Sequence, residues 1–390
     1  MSARPAGGDE VDFVWHSGPP WYRTGFGQQS GMVLNSLAAL GYSFLVSSSA
    51  PPQEGLAGVP YLSSPDLSGR DLGRNTRAAF IGISCRPRAI AFVNSERIAD
   101  DLCEDLDLVL WLPFNFSPAP RRLRAYIASR GPTQVLALTK WAQSSLREHG
   151  VESTYVPHGV DRTVFTPAPE RGNVMRERLG LDRGAFVAGV VGANNEWFGN
   201  RKSLPEILAA FSVIATTHSD AYLYLHTDVT GRLLGEGLDV LEIAEQFPSL
   251  SGRLLYTSSV EYARGWPRQD IADLYRAMDV LVAPSAGEGF GIPVIEAQAC
   301  GVPVIVSNWA TQAELVGAGW GVGGQQRWAH WVGSWQFTPN IQELVSALES
   351  AYNGPRPPLA DAVRFTDPYD HDEVIAGHWT PFLESWLGRE

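Results

Sequence analysis

Four side chains in the second half of the sequence could carry chemistry together. Glu288 lies in a glycine-spaced stretch, S-A-G-E-G-F-G, and Glu296 follows it with seven residues between. Upstream, Arg201 and Lys202 stand side by side just before a helical pattern. Carboxylates accept hydrogen bonds from sugar hydroxyls. Guanidinium and ammonium groups beside a helix start favour a bound anion such as a phosphate. On these residues alone two readings stand for each pair: a polyhydroxylated phosphate ligand, or solvated charges on ordinary elements.

The elements that must position them are legible. Asp279–Ala283 is a short apolar run ending at Pro284, as a buried strand does. Gly287, Gly289 and Gly291 space the loop that follows and let a ligand approach the backbone. Pro293 suits a first helical position, Val294–Cys300 carries the helix, Gly301 closes it, and Val302–Val306 is the next strand. Strand, glycine loop, helix and strand make one unit of a parallel sheet, whose ligand sites form at the carboxyl ends of the strands. Phe186–Val191 is predicted to be a further strand. Ser203 with Glu206 predicts a capping box for the helix after the basic pair. Tyr222–His226 and Leu254–Thr257 are further strands, and Asp270 is expected to cap a helix over 271–278.

The run E-G-F-G-I-P-V-I-E-A-Q-A-C-G-V-P-V-I closely resembles the family-4 type of retaining glycosyltransferases, which have the glycosyltransferase B fold. Leu274–Asp279 is similar to the same family. Some 120 residues upstream, Pro157-His158-Gly159-Val160-Asp161 with Phe165 and Pro167 resembles the run that joins its two domains. The resemblance implies that Glu288 contacts the donor sugar and Glu296 the ribose of the nucleotide. It implies that Lys202, and next to it Arg201, offset charge on the departing diphosphate, and that Gly289, Phe290 and Gly291 line the donor. Where the family often has a further arginine, this chain has Ala193-Asn194-Asn195. Ser258, at a strand end, is expected to face the base. His158 is expected to be structural.

The first half repeats the pattern. Val11–Trp15 is a strand, His16–Gly27 a loop, Gln28–Leu40 a helix ended by Gly41, and Tyr42–Val46 a second strand. Gly25 and Gly27 invite a dinucleotide reading, but the loop is long for that turn and Ser47–Ser49 offers no acid for a ribose. The family resemblance instead assigns Gly25 and Gly27 to the donor phosphates. Ala89–Val93, Leu108–Leu112 and Val135–Leu138 are strands, and Thr139–His149 is a helix. Asp105-Leu106-Asp107 runs into an apolar strand and is expected to be solvated, not metal-binding. Where some family members place a His or Asp near the acceptor, this chain has Pro113–Ser117. The tryptophans at 309, 320, 328, 331 and 335 are expected to brace a core edge, with stacking on sugars as the other reading. Asn340–Tyr352 is a helix, and the tail from Asp370 to Leu387 is amphipathic.

The 390 residues, 44% hydrophobic and 18% charged, suit two to three globular domains. The expected division is 1–165, 166–365 and a terminal helix, 366–390, that returns to the first domain. The fold class is α/β, with two Rossmann-like domains facing across a cleft. A net charge of -12 argues against nucleic acid as a partner. Three widely spaced cysteines, at 85, 103 and 300, show neither metal spacing nor a disulfide framework. The first residues lack the apolar core of a signal peptide, and no run approaches a membrane span. A cytoplasmic enzyme is expected, without metal or other cofactor. It would use a nucleotide diphosphate sugar as co-substrate and transfer a hexose to a hydroxyl acceptor with retention. The alternatives are a nucleotide-sugar 2-epimerase, a non-catalytic sugar-nucleotide binding subunit and glycosylation of modified DNA.

Overall fold

A computed structural model describes residues 11–52, 60–64, 70–81, 86–93, 106–115, 117–195, 200–233, 237–330 and 333–389, apart from 131–133. Cys85, Cys103, Asp105, Phe116 and Trp331, named above, lie outside the described residues. The chain divides into two compact units: 1–159 with 329–334 and 371–390, and 160–328 with 335–370.

The first unit is built on a parallel sheet of seven strands. They are β1 (Phe13–Ser17), β2 (Phe44–Ser48), β3 (Tyr61–Ser63), β4 (Arg88–Phe92), β5 (Asp107–Leu112), β6 (Gln134–Ala137) and β7 (Thr154–Tyr155). Their order is β3-β2-β1-β4-β5-β6-β7. β1 runs two residues later than the expected Val11–Trp15 and is buried along its whole length, His16 and Ser17 included, as a central parallel strand is.

The helix after β1 spans Gly25–Ala39, three residues earlier than the predicted start at Gln28. Thr24 is the cause: its side chain accepts from Gly27 N at 3.1 Å. At the other end Gly41 (φ 87°) donates to Ala38 O and Tyr42 donates to Leu37 O. This is a Schellman closure. It consumes Tyr42, so the second strand runs over Phe44–Ser48 and not from Tyr42. Gly25 is exposed and Gly27 buried. A Cβ at Gly27 would lie 2.2 Å from Tyr22 O and 2.6 Å from Pro19 O. Gly27→Ala should therefore destabilise the first unit by roughly 1–3 kcal/mol through forced backbone shifts. Urea unfolding checks this, and an unchanged midpoint would contradict the close approach.

The terminal segment from His371 belongs to this first unit. It is broken by a π-turn at Ile375–Trp379 between His371–Val374 and Thr380–Leu387. Trp379 is buried, with ring centroids 5.6 Å from Trp15 and 4.9 Å from Trp111. His158 packs edge-on against Trp111 at 4.7 Å. Burial pushes its imidazole down to about 3, so it is neutral, as a structural residue would be.

The second unit holds β8 (Phe186–Val191), β9 (Ala221–His226), β10 (Leu254–Tyr256), β11 (Val280–Ala283), β12 (Val304–Ser307) and β13 (Gly319–Val322). They form a sheet in the order β10-β9-β8-β11-β12-β13, with parallel pairing throughout. A core of Phe186, Leu208, Phe211, Ile214, Leu223 and Leu344, among others, fills the space between sheet and helices. Gly301 (φ 84°) closes the helix over Ile292–Ala299 by the same Schellman bonds, to Gln298 O and, from Val302, to Ala297 O. Two further strands, β14 (Gly324–Ala329) and β15 (Ser334–Pro339), pair as a separate hairpin.

The helix expected over 271–278 spans Arg268–Ala277, and Pro267, not Asp270, is its N-cap. Asp273, within that helix, accepts from Arg171 at 2.6 and 2.7 Å and from Arg276 at 2.6 Å.

Candidate active site

In the second sheet β8 and β11 are neighbours, and the chain moves outward in opposite directions from them. Loops leaving their carboxyl ends diverge, which opens a crevice where doubly wound sheets bind ligands. The loop after β8 ends in Arg201 and Lys202, and the loop after β11 carries Glu288. Ala286 N donates to Arg201 O at 2.7 Å, stitching the two loops together.

Glu288 is held between both cations. Its Oε2 lies 3.1 Å from an Arg201 guanidinium nitrogen, and its Oε1 accepts directly from Lys202 Nζ. Arg201 also reaches Gly287 O at 3.5 Å. Burial alone would raise the Glu288 carboxyl, but the charges of Lys202 and Arg201 outweigh it and hold the group down at about 2. The cluster is thus one fixed carboxylate with two cations, a surplus of one positive charge.

Two helices begin here. The one over Leu204–Thr217 follows Ser203, whose backbone is left-handed (φ 53°, ψ 36°) and whose side chain makes no cap. The predicted Ser203–Glu206 box is therefore replaced: Asn200 Oδ1 accepts from Leu204 N at 3.0 Å, and Asn200 Nδ2 donates to Glu206 at 2.5 Å. The second helix, Ile292–Ala299, has Gly291 as N-cap at φ 109° and likewise no side-chain cap. Pro293 sits at its second position, one later than expected. Gly291 must be glycine for that φ. Both helices point partial positive charge toward their starts. Phe290 is buried and packs on Tyr369 at 5.7 Å, and Gly289 is buried too, so this loop is anchored.

Glu296 lies one turn into the second helix and is buried. Its Oε2 accepts from the Tyr275 hydroxyl at 3.0 Å. Burial pushes the carboxyl up to about 7, with Tyr275 and Arg268 opposing. Ser258 caps the short helix Ser259–Arg264: its Oγ accepts from Glu261 N at 3.3 Å and donates to Glu261 Oε2 at 2.9 Å. Asn194, standing where the family often has an arginine, ties to the segment after β9 by bonds to Asp228 O, Leu238 O and Leu238 N. Gly25 and Gly27 lie in the first unit.

The sequence reading did not single out His226, at the end of β9. It is buried, shares a 2.8 Å hydrogen bond with Thr257 Oγ1 and packs against Trp266 at 4.9 Å. Burial pushes it down to about 4, so it is a neutral ring at the carboxyl edge of the sheet. Its place at a strand end is the signal that could have found it. Among the described residues no group of three or more His, Cys, Asp or Glu is placed to hold a metal ion, and no helix is long and apolar enough to cross a membrane.

Residues 185–352 match the family described as Glycosyl transferases group 1. The chain is 96% covered by the structure of sucrose-phosphate synthase from Thermosynechococcus elongatus, which it covers to 99%, with a TM-score of 0.72 at 15% identity. It is likewise similar to HepE of Anabaena in complex with UDP and glucose: TM-score 0.68, 18% identity, 95% of this chain and 99% of that one. The fold is the glycosyltransferase B fold. Among curated proteins, D-inositol 3-phosphate glycosyltransferase of Corynebacterium urealyticum is 29% identical over 161 residues, 41% of this chain. The UDP-Gal:alpha-D-GlcNAc-diphosphoundecaprenol alpha-1,3-galactosyltransferase of Escherichia coli is 32% identical over 156 residues, 39% of this chain. Each match spans 36% of the relative's own length. Both relatives match this chain over less than half of its residues.

Proposed function

We propose that this protein is a retaining glycosyltransferase of the family-4 type that moves a hexose from a nucleotide diphosphate sugar to a hydroxyl acceptor. The observation that carries the reading is Glu288 fixed between Arg201 and Lys202 at the switch point of the second sheet. When the bond from the sugar C1 to the diphosphate breaks, charge develops on the leaving oxygens. Lys202, Arg201 and the starts of the two helices offset that charge, and in this reading no metal ion is needed. Glu288, permanently ionised, accepts from the sugar hydroxyls and orients the ring. The acceptor oxygen bonds C1 on the face the diphosphate leaves, and its proton passes to a diphosphate oxygen. Glu296 holds the ribose hydroxyls, Gly289, Phe290 and Gly291 line the donor, and Ser258 stands toward the base. Donor contacts for Gly25 and Gly27 rest on the family resemblance, as does a cytoplasmic location. Relatives named for different acceptors leave the acceptor class open. The similar structure holding UDP and glucose supports a nucleotide-sugar partner.

A thermal-shift screen over nucleoside diphosphates and their sugars, followed by product analysis, tests the reading. A new glycoside with retained configuration supports it. Conversion of the donor sugar to its 2-epimer without acceptor would favour an epimerase. Donor binding with neither hydrolysis nor transfer would favour a binding subunit.

The Glu296 role has its own test. A carboxyl raised from 4.5 to about 7 favours the folded state most when protonated, so its contribution is full below pH 4.5 and is lost as pH rises to about 7. Ribose hydroxyls stabilise the ionised form, so donor binding near neutral pH should release a proton, and Glu296→Gln should remove that release. Glu296→Ala should weaken donor binding by about tenfold or more, because hydrogen bonds to a buried charged group are worth roughly 1.5–3 kcal/mol. Calorimetry in two buffers of different ionisation enthalpy reads both. Unchanged affinity would remove Glu296 from the ribose.

A further inference from the structure

The hairpin of β14 and β15 leaves two indole rings in solvent. Trp328 is 46% exposed and Trp335 40%. Their centroids are 5.1 Å apart and their planes meet at 73°, so the rings form a corner. Bracing a core edge does not account for rings this exposed. Strand alternation puts Gln326 on the face of Trp328, and Phe337 on the face of Trp335. Phe337 is buried and stacks on Trp309 at 5.9 Å with an interplanar angle of 9°. Phe337 N donates to Ala286 O at 3.0 Å, two residues before Glu288. An aromatic strip thus runs from the Glu288 loop out to the exposed corner. By the same alternation Arg327 belongs to the opposite face, where it reaches Gln336 at 3.4 Å.

Magnitudes decide what fits. A stable protein partner covers about 800 Å² per side, whereas an entire aromatic side chain buries only about 150–250 Å². A membrane surface is held by a long apolar face with several Lys or Arg beside it, and this face carries Gln326 instead. A pyranose ring has an apolar C–H face for an indole and a hydroxyl rim, which an amide meets as both donor and acceptor. We propose that Trp328 and Trp335, with Gln326, form a saccharide platform that holds a neutral glycan acceptor beside the loop carrying Glu288. The acceptor role rests on the glycosyltransferase reading; saccharide binding itself does not.

The test presents full-length protein, without nucleotide sugar, to immobilised neutral trisaccharides of gluco, galacto and manno configuration. Wild type should bind at least one of them. Trp328→Ala and Trp335→Ala should each weaken that binding about tenfold, as loss of one stacked ring does, and Trp335→Phe should retain most of it. Failure of wild type to bind any saccharide, or equal binding by the alanine variants, overturns the platform. So does loss of self-association in sedimentation, or of phosphatidylcholine vesicle binding, in the variants while saccharide binding is unchanged. Donor hydrolysis by wild type is measured separately. Its absence with saccharide binding intact overturns the transferase reading and leaves the platform standing.

Discussion

Lys202→Ala should lower turnover of the donor by about a hundredfold or more, with donor affinity changed far less. Lys202 pairs with Glu288 between the loops after β8 and β11, and in the proposed transfer its ammonium offsets the negative charge that the diphosphate gains as its bond to the sugar breaks. One preorganised donor to such charge is worth roughly 3 kcal/mol, and an effect confined to the transition state appears in kcat and not in KM. Lys202→Ala also takes away the first of the two cations that hold Glu288 down at about 2. A carboxyl held below its ordinary value adds stability above pH 4.5 that is lost as pH falls toward 2. The variant should therefore be less stable than wild type above pH 4.5, with the difference narrowing as pH falls toward 2, while Arg201 still pairs with the carboxylate at neutral pH. Single-turnover kinetics with matched circular dichroism checks this. A folded Lys202→Ala protein with wild-type kcat would take Lys202 out of the chemistry.

Why the site was partly readable follows from the range of its signals. The stretch from Val280 to Ser307 declares itself locally: an apolar run, glycines where the backbone must turn or be approached, a proline near the helix start, a glycine at its end. Each of those acts within a few residues of itself, so spacing along the chain is enough. The ion pairs of Glu288 with Arg201 and Lys202 join residues 87 and 86 positions apart, and the register of parallel strands alone brings them together. Capping was misread for a related reason. Ser203 has the residue type of a cap, but its left-handed backbone turns the side chain away, and Asn200 takes the role from outside the turn. β13 escaped because its sequence, G-W-G-V, has no alternation to read. Gly319 is there for space: a Cβ would lie 1.9 Å from Val304 O. β14 escaped because its residues are exposed almost throughout, so burial imposes no period on them.

Asp279→Ala should cost the second unit about 3–5 kcal/mol, the largest stability loss expected from one substitution here. Asp279 immediately precedes β11, at the end of the sheet opposite the crevice. Its side chain is 5% exposed and accepts from Arg176 at 2.8 Å, from Arg356 at 2.7 Å and from Val187 N at 2.7 Å. Arg176 is itself only 8% exposed. Removing the carboxylate leaves a buried guanidinium with carbonyl partners, Ala185 O and Arg183 O, but no countercharge. Breaking a buried pair from one side carries the full penalty of the stranded charge, whereas deleting both partners does not. Arg176→Met combined with Asp279→Ala should accordingly be more stable than Asp279→Ala alone, a non-additivity that a double-mutant cycle in urea measures. Asp279→Asn, which keeps an acceptor for Val187 N, should fall between. The loss should register as stability and not as chemistry: at low temperature, where the variant is folded, turnover should stay near wild type, since β11 still delivers Glu288 to the other end of the sheet. A penalty below about 1 kcal/mol for Asp279→Ala would mean that water reaches Arg176 and that the strand is pinned by its apolar neighbours alone.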